Sequence, residues 1–208
     1  MIAIVDYRAG NLTSVRLAFE TVGAPARVVS TPDEVRACDR IVFPGVGAAG
    51  AAMANLRALG LADVLRERVE AGVPFLGICL GTQILFGSSE EDGGTECLGL
   101  LPGRVAKFRP ASPADKVPHM GWNQVAFARP HPLFEGIRDG ADFYFVHSYH
   151  PVPADPADVL ATTSYAGVEF ASAVGRGNLA AAQFHPEKSG RDGLRMLSNF
   201  AAWDGRAA

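Results

Sequence analysis

Apolar and polar positions along the first half of the chain form blocks that predict short strands separated by helices. Four apolar runs have the length of a strand: Ile2–Val5, Arg27–Ser30, Arg40–Phe43 and Pro74–Ile78. Between the first two runs, apolar residues recur at the spacing of a helix: Leu12, Val15, Phe19 and Val22. Short, continuously apolar strands that alternate with helices are typical of a parallel sheet covered on both faces.

Residues that begin and end helices stand at the edges of these blocks. Asn11 precedes the first helical pattern, where its side chain could cap the helix, and Gly23 ends that pattern. The run Thr31-Pro32-Asp33-Glu34 combines an N-cap residue, a proline at the first helical position and acidic residues in the first turn. A further helical region runs from Met53 to Val69 and ends at Gly72. These signals predict a helix after each of the first three strands.

The second half of the chain has a different pattern, in which apolar runs follow one another with short turns between them. The predicted strands are Arg104–Phe108, Gln124–Phe127, Phe143–Val146, Val159–Ser164, Phe170–Val174 and Leu179–Phe184. A closing helix carries Leu194, Leu197 and Phe200. We therefore predict an α/β fold with three layers, in which a mostly parallel sheet is flanked by helices and the second half adds antiparallel β structure. We expect residues 1–208 to form a single domain.

Composition and charge narrow the class of protein. The 208 residues are 48% hydrophobic and carry 19 basic against 22 acidic side chains, a balance that argues against a broadly basic nucleic-acid-binding face. The three cysteines are too few for a disulfide-stapled secreted protein. The first residues lack the basic leader of a signal peptide, and no apolar run approaches the roughly 20 residues of a membrane helix. We expect a soluble protein of the cytoplasm.

One cysteine lies in a pattern that is typical of a nucleophile. Gly77-Ile78-Cys79-Leu80-Gly81 places a cysteine between two glycines at a predicted turn from strand to helix. Such a turn holds the nucleophile in a strained conformation, and the N–H groups of the following helix favour a thiolate. Cys38 and Cys97 lack both features, and we interpret them as small buried core residues.

A thiolate mechanism needs a general base and acid, which is normally histidine. His185 follows a predicted strand and begins the run His185-Pro186-Glu187. A residue before proline is extended, and residues two apart in extended chain face the same side, so Glu187 could orient the imidazole. His147 is the main rival, but no acidic residue stands beside it. No cysteine–histidine spacing resembles a zinc site, and we expect neither a metal nor a cofactor.

Taken together, these motifs resemble those of the class I, or triad, glutamine amidotransferases. The run from Gly77 to Gln83 is similar to their nucleophile motif, and His185-Pro186-Glu187 to their His-Pro-Glu. Four further segments narrow the resemblance to the glutaminase subunits of imidazole glycerol phosphate synthase. They are Tyr7-Arg8-Ala9-Gly10-Asn11-Leu12, Pro44-Gly45-Val46-Gly47, Pro118-His119-Met120-Gly121-Trp122-Asn123 and Phe145-Val146-His147-Ser148-Tyr149. The order of elements matches over essentially the whole chain.

The resemblance implies roles for residues outside the triad of Cys79, His185 and Glu187. Backbone N–H groups near Val46 and Gly47, together with that of Leu80, would form an oxyanion hole. Gln83 and Glu91 resemble the positions that hold the α-amino acid end of the substrate, although Glu90 and Glu96 lie close to Glu91. The backbone of His147, Ser148 and Tyr149 resembles another wall of the same pocket.

The reaction that the resemblance implies is hydrolysis of glutamine to glutamate and ammonia through a thioester on Cys79. The ammonia would pass to a separate cyclase subunit, which makes imidazole glycerol phosphate and an aminoimidazole carboxamide ribonucleotide in histidine biosynthesis. Asn11, Trp122, Asn123 and Lys188 resemble part of the face that docks on this partner.

Two other functions remain open from the residues alone. A cysteine peptidase or related hydrolase could use the same arrangement on a similar fold, since an activated cysteine with a histidine cleaves other acyl groups. A non-catalytic interaction subunit with a vestigial site is the third possibility. The His-Met-Gly-Trp-Asn segment favours the glutaminase over the peptidase, and the intact triad argues against a vestigial site.

Overall fold

The computed structural model describes residues 1–8, 11–110, 112 and 115–206. Its first half forms a parallel sheet from strands β1 (Ile2–Val5), β2 (Ala26–Val29), β3 (Arg40–Gly45) and β4 (Phe75–Cys79), in the order β2-β1-β3-β4. Helices α1 (Leu12–Thr21), α2 (Pro32–Arg36), α3 (Ala49–Ala58) and α4 (Leu61–Glu70) connect these strands. Side chains of β1 alternate between two apolar layers, with Ile2 and Ile4 in one and Ala3 and Val5 in the other, so both faces of the sheet are buried.

The second half extends the same sheet with antiparallel strands. They are β8 (His119–Phe127), β9 (Ala141–His147), β11 (Val159–Tyr165) and β12 (Val168–Arg176), whereas β13 (Leu179–Ala182) returns parallel to β4. Within the described residues the sheet has nine strands in the order β2-β1-β3-β4-β13-β12-β11-β8-β9. The predicted α/β fold is thereby confirmed, and β13 places the segment that follows it beside the end of β4.

A small second sheet and a closing helix complete the described part of the chain. The second sheet contains β5 (Ser88–Ser89), β6 (Thr95–Glu96), β7 (Gly103–Lys107) and β10 (Tyr149–Pro153). A one-turn helix, α5 (Leu80–Gln83), follows β4, and α6 (Gly190–Ala202) packs against α1, where the Phe19 and Phe200 rings lie 6.4 Å apart. Among the described residues, no helix has the length and apolar character needed to cross a membrane.

Three expectations about the elements were wrong in detail. The helical region from Met53 to Val69 is two helices, because Gly60 adopts a left-handed conformation between them. Strand β3 continues through Pro44 and Gly45, two residues beyond its predicted end at Phe43. Asn11 lies at the N-cap position of α1, but its side chain accepts a hydrogen bond from the Ser14 hydroxyl and caps no backbone N–H.

The second half also contains strands that apolar runs did not predict. Strand β8 begins at His119 rather than Gln124, because it pairs with β9 from His119 opposite His147 to Val125 opposite Ala141. Strand β10 carries Pro151 and Pro153 and pairs with β7 at the edge of the small sheet, where proline is tolerated. The predicted helix start at Thr31 is confirmed, since Thr31 and Glu34 form a capping box.

Candidate active site

Cys79 ends β4 in a backbone conformation that side chains rarely adopt. Its φ is 55° and its ψ is −111°, and α5 begins at the next residue. Such a conformation is strained for a residue with a Cβ and lifts the thiol out of the strand, as in the turns that present catalytic nucleophiles. The sequence prediction of a strained strand-to-helix turn at this cysteine agrees with the geometry.

The two flanking glycines allow the strand, the turn and the neighbouring β3 to approach closely. A Cβ on Gly81 would lie 1.8 Å from the Phe43 carbonyl oxygen, and one on Gly77 would lie 2.9 Å from the Gly81 carbonyl oxygen. The expected support from a helix dipole is smaller than the sequence suggested, because α5 has only four residues. The first-turn N–H groups remain the main electrostatic contribution of this helix.

The Cys79 thiol contacts both a backbone carbonyl and a polar side chain. Its sulfur lies 3.8 Å from the Val146 carbonyl oxygen and 3.8 Å from the Gln183 side-chain nitrogen. Burial raises the pKa of the Cys38 thiol and raises that of Cys97 to about 11, and both thiols donate to backbone carbonyls. These surroundings disfavour a thiolate at Cys38 and Cys97, as expected for small core residues.

His185 and Glu187 are in direct contact. The Nδ1 atom of His185 lies 2.8 Å from a Glu187 carboxylate oxygen, and the two side chains are only 3% and 1% exposed. The expected pairing is present, but the reason differs from the one that the sequence suggested. Pro186–Lys188 form a turn of 3-10 helix, and this turn, rather than extended chain, brings the carboxylate back to the imidazole.

The surroundings of His185 favour its charged form. Burial alone would lower the pKa of this imidazole, but the neighbouring Cys79 thiol and the Glu187 carboxylate outweigh it and raise the pKa to about 10. Within the described part of the chain, the Nε2 atom has no hydrogen-bond partner. An imidazolium beside a thiol is the arrangement that stabilises a thiolate.

One cavity of about 400 Å³ brings most of the sequence-predicted site residues together. It is lined by Val46, Gly47, Cys79, Leu80, Gln83, Glu91, Pro118, Val146, His147, Ser148, Tyr149 and His185. Glu187 lies behind His185, in contact with its imidazole. A larger cleft of about 640 Å³ between Phe127 and Asp139 contains no cysteine and lies apart from these residues.

The structure distinguishes among the three glutamates near the cavity. Glu91 lines the cavity and accepts a hydrogen bond of 2.7 Å from the Ala49 N–H, and burial raises the pKa of its carboxyl group. Glu90 instead forms ion pairs with Arg104 and Arg109, at a separate groove that Glu96 also lines. Among the described residues, Glu91 therefore lines the cavity of Cys79, and Glu90 and Glu96 do not.

His147 is a weaker candidate for the base than its position in the cavity wall suggests. Its Nδ1 atom lies 2.7 Å from the Tyr149 carbonyl oxygen, and its Nε2 atom lies 3.0 Å from Nδ1 of His119. Burial lowers the pKa of His147 to about 3, so the ring is neutral near pH 7. Both ring nitrogens are occupied, which leaves neither of them for the thiol.

The residues expected at a partner interface do not all lie on one face. Trp122 is 58% exposed beside Met120 on the outer face of β8, and Lys188 is also exposed. The Asn123 side chain points to the opposite face of the strand and donates to the Ser164 carbonyl oxygen. Asn11 is half-buried, and the neighbouring motif residues Ala9 and Gly10 lie outside the described residues.

Three residues at the site have surroundings that the sequence did not predict. Gln183 is fully buried between Cys79 and Gln83, and it could have been noticed as a polar residue two positions before His185 in an apolar run. The Tyr7 hydroxyl is buried without a partner among the described residues, next to Gly45, and burial and the Cys79 charge raise its pKa. His119 belongs to the His-Met-Gly-Trp-Asn segment, but nothing in its sequence context indicated its contact with His147.

No metal site is apparent in the described ranges, where no three histidine, cysteine, aspartate or glutamate side chains are grouped as ligands. The arrangement instead suits acyl transfer, because it combines a cysteine in a strained turn, a buried histidine–carboxylate pair and nearby backbone N–H groups. This chemistry needs a substrate with a carbonyl group that can enter a pocket of about 400 Å³.

Comparisons with known proteins agree over nearly the whole length. The family model "Glutamine amidotransferase class-I" matches residues 3–203. The imidazole glycerol phosphate synthase subunit HisH of Moorella thermoacetica is 55% identical over 200 residues, covering 96% of this chain and 93% of the relative. The subunit of the same name from Methylococcus capsulatus is 52% identical over 211 residues, with coverages of 98% and 96%.

Two solved structures share the fold at low sequence identity. A structure described as a glutamine amidotransferase has a TM-score of 0.72 and 21% identity, and it covers 98% of this chain and 100% of its own. The structure of PurLQS from Thermotoga maritima has a TM-score of 0.74 and 20% identity, with 96% of each chain covered. At these identities the likeness concerns the fold alone.

Proposed function

Because the chain belongs to the class I glutamine amidotransferases, and among them to the HisH subunits of imidazole glycerol phosphate synthase, we propose that it hydrolyses glutamine and supplies the ammonia for histidine biosynthesis. The products of its own reaction are glutamate and ammonia. The observation that carries this proposal is the cavity in which the strained Cys79 faces His185, whose imidazole is held by Glu187.

In the first step, the Cys79 thiolate attacks the side-chain amide carbon of glutamine. A carbon–sulfur bond forms, and the electron pair of the carbonyl π bond moves to the oxygen. Leu80, Val46 and Gly47 line the cavity, and we infer that their backbone N–H groups donate to the oxyanion. One donor of this kind is worth about 3–4 kcal/mol of transition-state stabilisation.

In the second step, the imidazolium of His185 donates its Nε2 proton to the amide nitrogen. The carbon–nitrogen bond breaks, ammonia leaves, and a thioester remains on Cys79. Neutral His185 then removes a proton from water, which attacks the thioester and releases glutamate and the thiolate. Glu187 holds Nδ1 throughout, so that Nε2 points to the reacting atoms and the positive charge is compensated.

The cavity also carries groups suited to an α-amino acid. The Glu91 carboxylate lines the cavity and would pair with the substrate ammonium group, and His147, Ser148 and Tyr149 form another part of the wall. The Gln83 amide donates to the Tyr149 carbonyl oxygen at 3.0 Å and to the Gln183 side chain at 3.0 Å, so it acts by holding that wall in place. Asparagine, which is one methylene shorter, would leave its amide short of Cys79.

The ammonia passes to a separate cyclase subunit, which makes imidazole glycerol phosphate and the aminoimidazole carboxamide ribonucleotide. We infer that the exposed surface formed by Met120, Trp122 and Lys188 docks on this partner in a cytoplasmic heterodimer. We expect Asn11 to contribute from the edge of that surface, whereas the Asn123 side chain faces away from it and donates to the Ser164 carbonyl oxygen. No cofactor, nucleic acid or membrane is needed for this chemistry.

The test is to compare two ammonia sources in a synthase complex that carries Cys79→Ser. Glutamine-driven product formation should fall by at least about a thousandfold, because a serine hydroxyl is a poor nucleophile at a site built for a thiolate. Product formation from added ammonium at alkaline pH should stay near the wild-type rate, since free ammonia reaches the cyclase without this subunit. Wild-type protein serves as the reference for both.

The outcomes separate the proposed function from its alternatives. Loss of both activities in an assembled complex would make Cys79 structural, and survival of the glutamine-driven activity would place the nucleophile elsewhere. Cleavage of peptides into shorter fragments, or release of ammonia from asparagine but not from glutamine, would identify a different hydrolase. Absence of any turnover by the wild-type complex would leave a non-catalytic subunit.

A further inference from the structure

Two buried histidines form a hydrogen-bonded chain between β8 and the wall of the cavity. His119 Nδ1 lies 3.0 Å from His147 Nε2, and His147 Nδ1 lies 2.7 Å from the Tyr149 carbonyl oxygen. At the other end, Asn123 Nδ2 lies 3.3 Å from His119 Nε2. We name Asn123, His119, His147 and the Tyr149 carbonyl the histidine relay. The mechanism of glutamine hydrolysis described above does not use it.

The positions of the protons in the histidine relay follow from its ends. A carbonyl oxygen only accepts, so His147 carries its proton on Nδ1 and leaves Nε2 as an acceptor. His119 must then donate from Nδ1, and its own Nε2 accepts from the Asn123 amide nitrogen. Burial lowers the pKa of His119 to about 4 and that of His147 to about 3, so both rings are neutral near pH 7, as this order of donors requires.

The histidine relay ends at the corner of the substrate pocket. Ser148 is the one residue between β9 and β10, which belong to different sheets, so the chain changes direction there. The Tyr149 carbonyl accepts from His147 and also from the Gln83 side chain at 3.0 Å. The Ser148 carbonyl accepts from the Phe108 N–H at 3.0 Å. The corner is therefore fixed by hydrogen bonds, and the His147 imidazole supplies one of them.

The other end of the histidine relay lies in a strand whose outer face is open. His119 stands directly opposite His147 in the pairing of β8 with β9. Met120 and Trp122, which alternate with the inward-facing His119 and Asn123, are 63% and 58% exposed. A partner that binds the outer face of β8 would thus act on the same strand that carries Asn123 and His119, the first two residues of the histidine relay.

We propose that His119 and His147 are positioning residues for glutamine: through the histidine relay they hold the His147–Tyr149 wall of the pocket and couple it to docking on the outer face of β8. This inference rests on the proposed function. It assigns these residues to substrate affinity and to activation by the cyclase, not to the chemical step. The alternative is that the two rings only fill the aromatic cluster around Phe108.

The substitution His119→Phe separates the two roles, because it keeps an aromatic ring but removes both nitrogens. The His119 ring stacks against the rings of Tyr165 and Phe145, with distances between ring centroids of 3.9 Å and 4.8 Å, and phenylalanine preserves that packing. It leaves the buried Nε2 acceptor of His147 without a donor. His150→Phe is the matched control, since His150 packs on Phe108 at 4.7 Å in the same cluster and bonds only to the neighbouring Pro151 carbonyl oxygen within the described residues.

The first readout is alkylation of Cys79 by a glutamine-shaped diazoketone at increasing concentration. In His119→Phe the half-saturating concentration should rise about tenfold, equivalent to about 1.4 kcal/mol, while the limiting rate stays within about twofold of wild type. His150→Phe should match wild type in both. His119→Asn, which keeps an N–H near the place of Nδ1, should restore most of the affinity, and His119→Gln, which keeps one only near Nε2, should not.

The second readout is the factor by which the cyclase subunit raises kcat/KM for glutamine. This factor should fall about tenfold in His119→Phe and stay unchanged in His150→Phe. Interrupting the histidine relay removes a coupling free energy of about 1.4 kcal/mol between docking and glutamine binding. Equal effects of the two variants, or a loss in limiting rate without a loss in affinity, would overturn the inference. If His119→Phe fails to fold, the comparison of His119→Asn with His119→Gln decides the same question.

The two proposals fail in different ways. Equal behaviour of the variants in an enzyme whose wild type hydrolyses glutamine would remove the positioning role and leave the proposed function intact. A wild-type complex that neither releases ammonia from glutamine nor reacts with the diazoketone would contradict the proposed function itself.

Discussion

At the scale of single residues, the surroundings of Cys79 differ from those of the other two cysteines in conformation and in charge. Its φ of 55° is positive, and its thiol shares a cavity with His185, whose imidazole contacts the buried Glu187 carboxylate. The raised pKa of His185 depends on both neighbours, the thiol and the carboxylate. Removing either neighbour should therefore change the protonation of the imidazole as well as its orientation.

The substitution Glu187→Gln tests this dependence. It keeps the shape but removes the charge, so kcat for glutamine should fall roughly 10- to 100-fold, against about 10³-fold or more for His185→Ala. Because Glu187 helps to raise the pKa of His185, the alkaline limb of the kcat/KM profile should move to lower pH in Glu187→Gln. Steady-state glutamine hydrolysis between pH 6 and about pH 10 measures the fall in kcat and the shift of the alkaline limb. Equal losses in the two variants would assign the carboxylate another role.

The sequence was informative about residues whose chemistry depends on their immediate neighbours in the chain. Flanking glycines indicated the turn at Cys79, and the contact of His185 with Glu187 was expected from their separation, although a 3-10 turn makes it. Gln183 and His119 could not be recognised in this way. Their partners, Gln83 and His147, come from other strands and elements, so only the pairing of β8 with β9 and of β13 with β4 brings them into contact.

At the scale of elements, the turn between β4 and α5 depends on the absence of a side chain at Gly81. A Cβ at this position would lie 1.8 Å from the Phe43 carbonyl oxygen, a backbone atom that cannot move away cheaply. The neighbouring β3 ends at Gly45, directly opposite Cys79, and continues into the Val46–Gly47 loop. Displacing the turn would therefore move both the thiol and the N–H groups proposed to bind the oxyanion.

We expect Gly81→Ala to lower the free energy of unfolding by about 3 kcal/mol and to abolish glutamine turnover. Gly87→Ala is the control, because its Cβ would lie 3.4 Å from the nearest atom, the Gly103 carbonyl oxygen, which is close to ordinary contact. Urea denaturation and ammonia release compare the two variants. Full activity in Gly81→Ala would show that the close packing of this turn is not needed.

Two strands that are buried on both faces, β1 and β4, were predicted closely, whereas β8, which has one open face, was not. Strands β1 and β4 are continuous apolar runs, and their observed bounds differ from the predicted ones by at most one residue. Strand β8 alternates buried with exposed positions, and Met120 and Trp122 point outward. The first half of this strand therefore contains no continuous apolar run from which a strand could be predicted. Pairing with β9, which depends on distant residues, fixes where it begins.

At the scale of the whole molecule, buried histidines make stability depend on pH in two directions. Burial lowers the pKa of His119 and His131 to about 4 and that of His147 to about 3, and it also lowers the pKa of His150. The unfolded chain takes up these protons near pH 6.5, so the stability present above that pH is lost as the pH falls towards 4. The raised pKa of His185 acts oppositely, because its contribution is complete below pH 6.5 and is lost as the pH rises towards 10.

We therefore expect the free energy of unfolding to be greatest near pH 6.5–7 and to fall on both sides. Urea denaturation at intervals between pH 4.5 and about pH 9.5 measures the profile. His131→Phe removes one buried histidine outside the cavity of Cys79, and it should flatten the acidic side by roughly 3 kcal/mol while leaving the alkaline side unchanged. A profile that rose steadily towards acid would contradict these assignments.

Docking of the partner is also a property of the whole surface. Lys188 is exposed and directly follows the run His185-Pro186-Glu187, so we expect its side chain to project beside the mouth of the cavity. Lys188→Glu should weaken binding of the cyclase subunit roughly tenfold, with partial rescue by a basic residue at its acidic partner. Lys107→Glu, the same charge change at the separate groove of Glu90 and Glu96, is the control. Unchanged affinity on calorimetric titration would make Lys188 an ordinary solvated lysine.

The central claim, that Cys79 is the nucleophile for glutamine, is tested most directly by mapping where a glutamine-shaped diazoketone reacts in the synthase complex. Peptide mass spectrometry should find the label on Cys79 alone among the three cysteines, glutamine should protect it, and His185→Ala should slow its formation. Cys38 and Cys97 are expected to stay unmodified because burial raises the pKa of both thiols. Labelling of Cys38 or Cys97 at an equal or higher rate, or labelling of Cys79 that glutamine does not prevent, would contradict the account.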